Sequence, residues 1–154
     1  MSLELKWSQV SSSQEQNSTT IRCNTSGIVK NSDMYLFCGK GVGLLESSWK
    51  FDKAKKSWEL LENDGHCPPP RDGLTANIIE SSIVPYDVVI FGGQSTPPEP
   101  KEHHVPSRIK TIRERSLLGD MWGFKCDNNK WTRLDPTVAP SPRRGHSIVL
   151  WKRV

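Results

Sequence analysis

The chain has 154 residues, the size of one ordinary domain, with 21 Lys and Arg against 17 Asp and Glu, a formal net charge of +4. Hydrophobic residues make up 34%, and glycine brings the apolar share to roughly 41%, a little below that of a typical globular domain. No apolar run approaches the length of a membrane-spanning helix, Met1 to Val10 holds no apolar core of signal-peptide length, and +4 is too mild a charge to argue for nucleic acid.

In chain order, the first segment after the N-terminal stretch is Ser11 to Thr20, almost wholly Ser, Gln, Asn and Thr, which reads as a loop. Met34-Tyr35-Leu36-Phe37 is a strand candidate, followed by Ile78-Ile79 and Val88-Val89-Ile90-Phe91. Gln94 to Pro106 holds four prolines and several charges and is expected to be an exposed excursion. Ser107 to Leu118 carries good helix formers and is the one helical candidate, without a firm cap. Ser147-Ile148-Val149-Leu150 ends the series. Each apolar run is short, rich in β-branched or aromatic residues, and bounded by turn formers. The reading is an all-β protein of many short strands.

Cysteines at 23, 38, 67 and 126 form no C-x-x-C pair, so a zinc knuckle is poorly supported. Without a secretory signal the default is four reduced thiols in the cytoplasm or nucleus.

The chain repeats itself. Trp49-Lys50-Phe51 with Trp58 lies over Trp122-Gly123-Phe124 with Trp131, and both copies read W-x-F-x6-W. Pro70-Arg71-Asp72-Gly73 lies over Pro142-Arg143-Arg144-Gly145. Upstream, Tyr35-Leu36-Phe37-Cys38-Gly39 matches Val89-Ile90-Phe91-Gly92-Gly93. A weaker third copy starts at Trp7 and reaches Arg22. Gly39 to Trp49 is 10 residues and Gly93 to Trp122 is 29, so the second copy carries an insertion at about 94–119. Without it the period is near 50 residues, a length typical of one repeat class.

An apolar run ending in a double glycine, a W-x-F strand, a second tryptophan nine residues on, and a Pro-Arg-x-x-His turn together resemble kelch repeats. Cys38 in place of the first glycine and Leu74 in the place of His146 depart from the pattern. The resemblance implies β-propeller blades of four antiparallel strands. Residues 1–21 then hold an outer strand and a polar loop, 22–70 one blade, 71–142 a second with its insertion, and 143–154 the first strand of a further blade. About two blades cannot close a ring of four to eight. The chain is therefore expected to be an incomplete ring, completed by copies of itself, by another chain, or by missing blades of a longer protein. Gly39, Gly92, Gly93, Trp49, Trp58, Trp122, Trp131, Arg71, Arg143 and His146 are assigned structural work. The glycines make sharp strand ends. Trp58 and Trp131 pack between neighbouring blades, and Arg71 and Arg143 tie the turns to backbone carbonyls or a carboxylate.

Little in the sequence points to catalysis. Gly39-Lys40-Gly41-Val42-Gly43 fails the phosphate-loop pattern, because its lysine precedes the glycines and no Ser or Thr follows. His66, His103, His104 and His146 build no convincing ligand set, so no cofactor or metal is expected. No nucleophile motif is present. Ser141-Pro142-Arg143-Arg144 resembles a proline-directed kinase site, where a phosphate would disturb Arg143. The expected function is a non-catalytic protein-binding module, with a kelch-domain metalloenzyme fragment or a truncated product as alternatives. Partner contact is expected from Lys40 and Gln94, directly after the glycine turns, and from Arg108, Lys110, Arg113 and Arg115 in the insertion. Their cations suit an acidic segment of a protein partner.

Overall fold

The short apolar runs that become strands are too brief for a stable helix, and each pairs with a neighbouring strand. The computed structural model describes residues 22–63, 65–80, 83–96 and 115–151. In chain order its strands are β1 (Ser26–Lys30), β2 (Asp33–Lys40), β3 (Leu44–Asp52), β4 (Ser57–Leu61), β5 (Thr75–Ile78), β6 (Val88–Phe91), β7 (Gln94–Ser95), β8 (Ser116–Leu117), β9 (Met121–Lys125) and β10 (Lys130–Leu134). Two antiparallel sheets of four strands result, in the orders β1-β2-β3-β4 and β5-β6-β9-β10, with β7 and β8 as a separate pair. Local chemistry closes the turns. Asn31 and Ser32 both take positive φ between β1 and β2, as a tight hairpin requires. Between β3 and β4, the Asp52 carboxylate accepts the backbone N–H groups of Ala54 and Lys55, both at 2.9 Å.

The two sheets share one register. Trp49 lies between Leu36 and Leu60, and Trp122 between Ile90 and Arg133. Phe51 lies between Met34 and Trp58, and Phe124 between Val88 and Trp131. Since side chains alternate across a strand, each sheet presents one tryptophan-bearing face and one opposite face. The tryptophan face of the second sheet packs on the opposite face of the first. Phe37 meets Phe124 edge-on at 5.3 Å and Trp131 at 5.5 Å, while Phe124 and Trp131 stand 4.7 Å apart. Ile28, Tyr35, Cys38, Leu61, Val88 and Ile90 complete this core. An ion pair reinforces it at one end, where Lys30 Nζ of β1 reaches Asp87 Oδ1 at 2.5 Å. The same carboxylate also accepts the Cys126 N–H at 2.8 Å.

Among the described residues the result is all-β, two blades that stand side by side without closing a ring. Three expectations change. Trp131 is buried between the blades, but Trp58 is only half-buried. It packs against Phe51 at a tilt, with centroids 5.2 Å apart, on the open face of the first sheet, where no described strand covers it. The helix expected over Ser107 to Leu118 does not include Ser116 and Leu117, which pair with Ser95 and Gln94 as β8; its earlier residues lie outside those described. Ser147 to Leu150 forms no strand. It lies along Asn77, Ile78 and Glu80, but no described strand offers its outer edge hydrogen bonds.

Phe51 and Phe124 occupy equivalent register positions with unequal burial, so they make a matched pair. Phe124→Ala should cost about 3–5 kcal/mol, as for a buried phenylalanine, and Phe51→Ala about 1–2 kcal/mol. Urea denaturation midpoints of the two variants measure the difference.

Candidate functional site

Each blade begins at a turn bearing an arginine, and the turns position the loops. In the second turn Arg71 is completely buried. Its Nε donates to Pro69 O at 3.1 Å and its Nη1 to Gly92 O at 3.1 Å. The two Nη atoms grip both oxygens of Asp120, at 2.6 and 2.7 Å. Trp122 Nε1 donates to Asp120 Oδ2 at 2.7 Å. Burial pushes the Asp120 pKa up, but the bonds from Arg71 and Trp122 outweigh it and hold the carboxyl below its ordinary 3.8.

The first blade repeats this frame with a hydroxyl in place of the carboxylate. Arg22 Nη1 donates to Cys38 O at 3.0 Å and Nη2 to Ser47 Oγ at 3.3 Å, while Trp49 Nε1 donates to the same hydroxyl at 3.2 Å. Ser47 and Asp120 each stand two residues before the tryptophan of W-x-F. Arg71 thus binds two backbone carbonyls and a carboxylate, Asp120, whose place in the chain is signalled only by that spacing. Cys38 keeps the left-handed backbone of the glycine it replaces, at φ 53, and its burial pushes the thiol pKa to about 12. At that value the sulfur is an inert core group.

Between repeats the seam is made of backbone bonds, and it occurs twice. Gly39 N donates to Arg71 O and Gly93 N to Arg143 O, both at 2.8 Å. Arg71 N donates to Leu45 O at 3.3 Å and Arg143 N to Leu118 O at 3.1 Å. Gly73 N reaches Asn24 O, and Gly145 N reaches Gly73 O, both at 2.9 Å. The double glycine allows this approach. A Cβ on Gly92 would stand 2.5 Å from Arg143 O, and one on Gly93 2.8 Å from Asp72 O, each at positive φ. His146 secures the third turn. Its Nε2 is 2.8 Å from Thr75 Oγ1 and its ring meets Phe91 edge-on at 5.3 Å. Burial, with Arg143 nearby, lowers its pKa from 6.5.

The residues expected to touch a partner fare differently. Lys40 is half-buried and pairs its backbone with Cys23 at 2.8 and 2.9 Å. Gln94 makes the equivalent bridge to Asp72 at 2.9 and 3.1 Å, but its side chain is not a surface contact: it is 4% exposed. The bridge sets Gln94 directly opposite Asp72, with β8 on its other side. Arg115 is exposed, with Nη1 3.5 Å from Asp72 Oδ2. Arg108, Lys110 and Arg113 lie outside the described residues. Among the described residues, no three His, Cys, Asp or Glu side chains gather closely enough to hold a metal.

The family model described as "KLHDC2/KLHL20/DRC7 Kelch-repeats domain" matches residues 2–154. Among solved structures, the one titled "Structure of YjhT" is similar at 20% identity with a TM-score of 0.49. That match covers 73% of this chain and 27% of the other, so the chain spans about a quarter of that protein's length. No curated protein matches the chain.

Asp120→Asn should strip Arg71 of its counter-charge. The expected loss is about 2–4 kcal/mol at neutral pH, below that of a fully buried pair because Asp120 is partly exposed. The depressed folded pKa of Asp120 stabilises the protein above its unfolded value, and that contribution is lost as pH falls through the folded value. Urea melts between about pH 7 and pH 3 should therefore fall less steeply for the variant. His146 has the same sign at higher pH. Its neutral ring supports the fold above its unfolded pKa, that support fades as pH drops through the folded one, and His146→Gln should flatten that limb.

Proposed function

The chain belongs to the kelch-repeat family, and we propose that it is a non-catalytic protein-interaction module, an adaptor or scaffold that holds its partner through the loops between strands. The observation that carries this reading is the stem of the long insertion. β7 and β8 pair at Gln94 with Leu117 and at Ser95 with Ser116. The Asp72 bridge and the bond from Ser95 Oγ to Pro70 O at 2.7 Å tie that pair to the buried arginine turn. The sequence between them, residues 97–114, therefore springs from a rigid base, the usual arrangement of a binding loop on a scaffold.

The partner proposed is a protein with an acidic segment. Arg108, Lys110, Arg113 and Arg115 place four cations near one glutamate, Glu114, and arginines pair carboxylates through two parallel hydrogen bonds. Lys40, after the equivalent glycine of the first blade, is the second contact proposed. Four free thiols are in keeping with a reducing compartment, the cytoplasm or nucleus.

The test replaces residues 97–114 with a short Gly-Ser turn and follows binding of a fluorescent glutamate-rich peptide by anisotropy. Circular dichroism should be unchanged while affinity falls about tenfold or more, from several exposed charge pairs at about 0.5–1 kcal/mol each. Undiminished, salt-insensitive binding by the shortened chain would rule the reading out.

A further inference from the structure

Two residues before its arginine, the third turn carries a serine where the second carries a proline. Two residues before Arg71 stands Pro69, whose carbonyl accepts Arg71 Nε at 3.1 Å. Two residues before Arg143 stands Ser141, whose carbonyl accepts Arg143 Nε at 2.9 Å. The local bond is the same, but the hydroxyl is new. Ser141 Oγ takes Arg143 Nη2 at 3.0 Å, whereas the Nη atoms of Arg71 reach Gly92 and Asp120. Arg143 is exposed, and so is Ser141, in an exposed stretch without regular structure after β10. The sequence has two Ser/Thr-Pro pairs, Thr96-Pro97 and Ser141-Pro142. Only Ser141 has a cation three residues on, Arg144; Thr96 has Glu99 there.

We propose that Ser141 is the phosphoacceptor of a proline-directed protein kinase and that its phosphate captures Arg143. In the transfer, Ser141 Oγ attacks the γ-phosphorus of ATP in line. The new Oγ–P bond forms as the bond to the β-phosphate oxygen breaks, the hydroxyl proton passes to the kinase's catalytic carboxylate, and ADP leaves. The product carries about −1.5 to −2 charges and three strong acceptor oxygens. It forms beside a guanidinium already bonded to that oxygen, where a bidentate, charge-assisted pair is the natural outcome. Arg144 adds a second cation. Held in this way, Arg143 is fixed in the turn it already occupies and is kept from the outward reach that Arg22 and Arg71 make, toward a corner carbonyl and the residue two before a tryptophan. The modification acts on the turn that holds Gly93 through the Arg143 carbonyl.

The test treats the full chain with a proline-directed kinase and Mg-ATP and counts phosphates by mass. One phosphate should persist in Thr96→Ala and vanish in Ser141→Ala. The phosphorus-31 resonance should then titrate with a pKa below the value of about 6 for free phosphoserine, and move back toward it in phosphorylated Arg143→Gln. An unmodified Ser141, or a titration that Arg143→Gln leaves unchanged, overturns the proposal.

Discussion

Arg71 carries a full charge with none of its surface in water, and the second blade is arranged around that requirement. A buried guanidinium is tolerable only when its donors are matched and its charge is answered. The matching comes from three places: the carbonyl of Pro69 in its own turn, the carbonyl of Gly92 at the end of β6, and the carboxylate of Asp120 just before β9. One side chain thus fixes the start of the blade against its two central strands. Asp120 is held in turn by Trp122, which locks the first residue of the W-x-F motif to the same centre. Polar satisfaction and hydrophobic packing converge on these few atoms, and the glycine corner exists so that backbone can come close enough to take part.

The first blade shows what the frame requires and what it can do without. Serine replaces aspartate at position 47 and cysteine replaces glycine at position 38, yet the arginine, the corner carbonyl and the indole still meet. Geometry is retained with a hydroxyl standing where the second blade has a carboxylate. Arg22 is half-buried where Arg71 is fully enclosed, so it needs less compensation.

Much of this order was legible in the sequence. The W-x-F-x6-W spacing encodes a hairpin register, and both copies fold with identical pairing. The double glycines mark corners of positive φ because no other residue takes that backbone easily. What stayed hidden depended on neighbours remote in sequence. Ser147 to Leu150 has the composition of a strand, but strands need partners and none is described at its outer edge. Ser116 and Leu117 read as helix formers, yet two backbone pairs with β7 override that propensity. Gln94 follows its glycine as a loop residue should, yet it lies between Asp72 and β8 with its side chain buried. Trp58 and Trp131 are equivalent in sequence; burial separates them because one faces a sheet and the other does not.

The seam between repeats is built from main-chain amides and carbonyls: Gly39 to Arg71, Gly93 to Arg143, Gly73 to Asn24, and Gly145 to Gly73. Bonds of that kind do not depend on which side chain each position bears, provided the corners remain passable. Such a joint is indifferent to sequence drift, and it can be copied whole whenever a repeat is duplicated. That explains how one blade came to hold a long insertion and the other a cysteine at its corner without either losing its neighbour. The loops can therefore differ in length and composition while the main-chain joint stays closed.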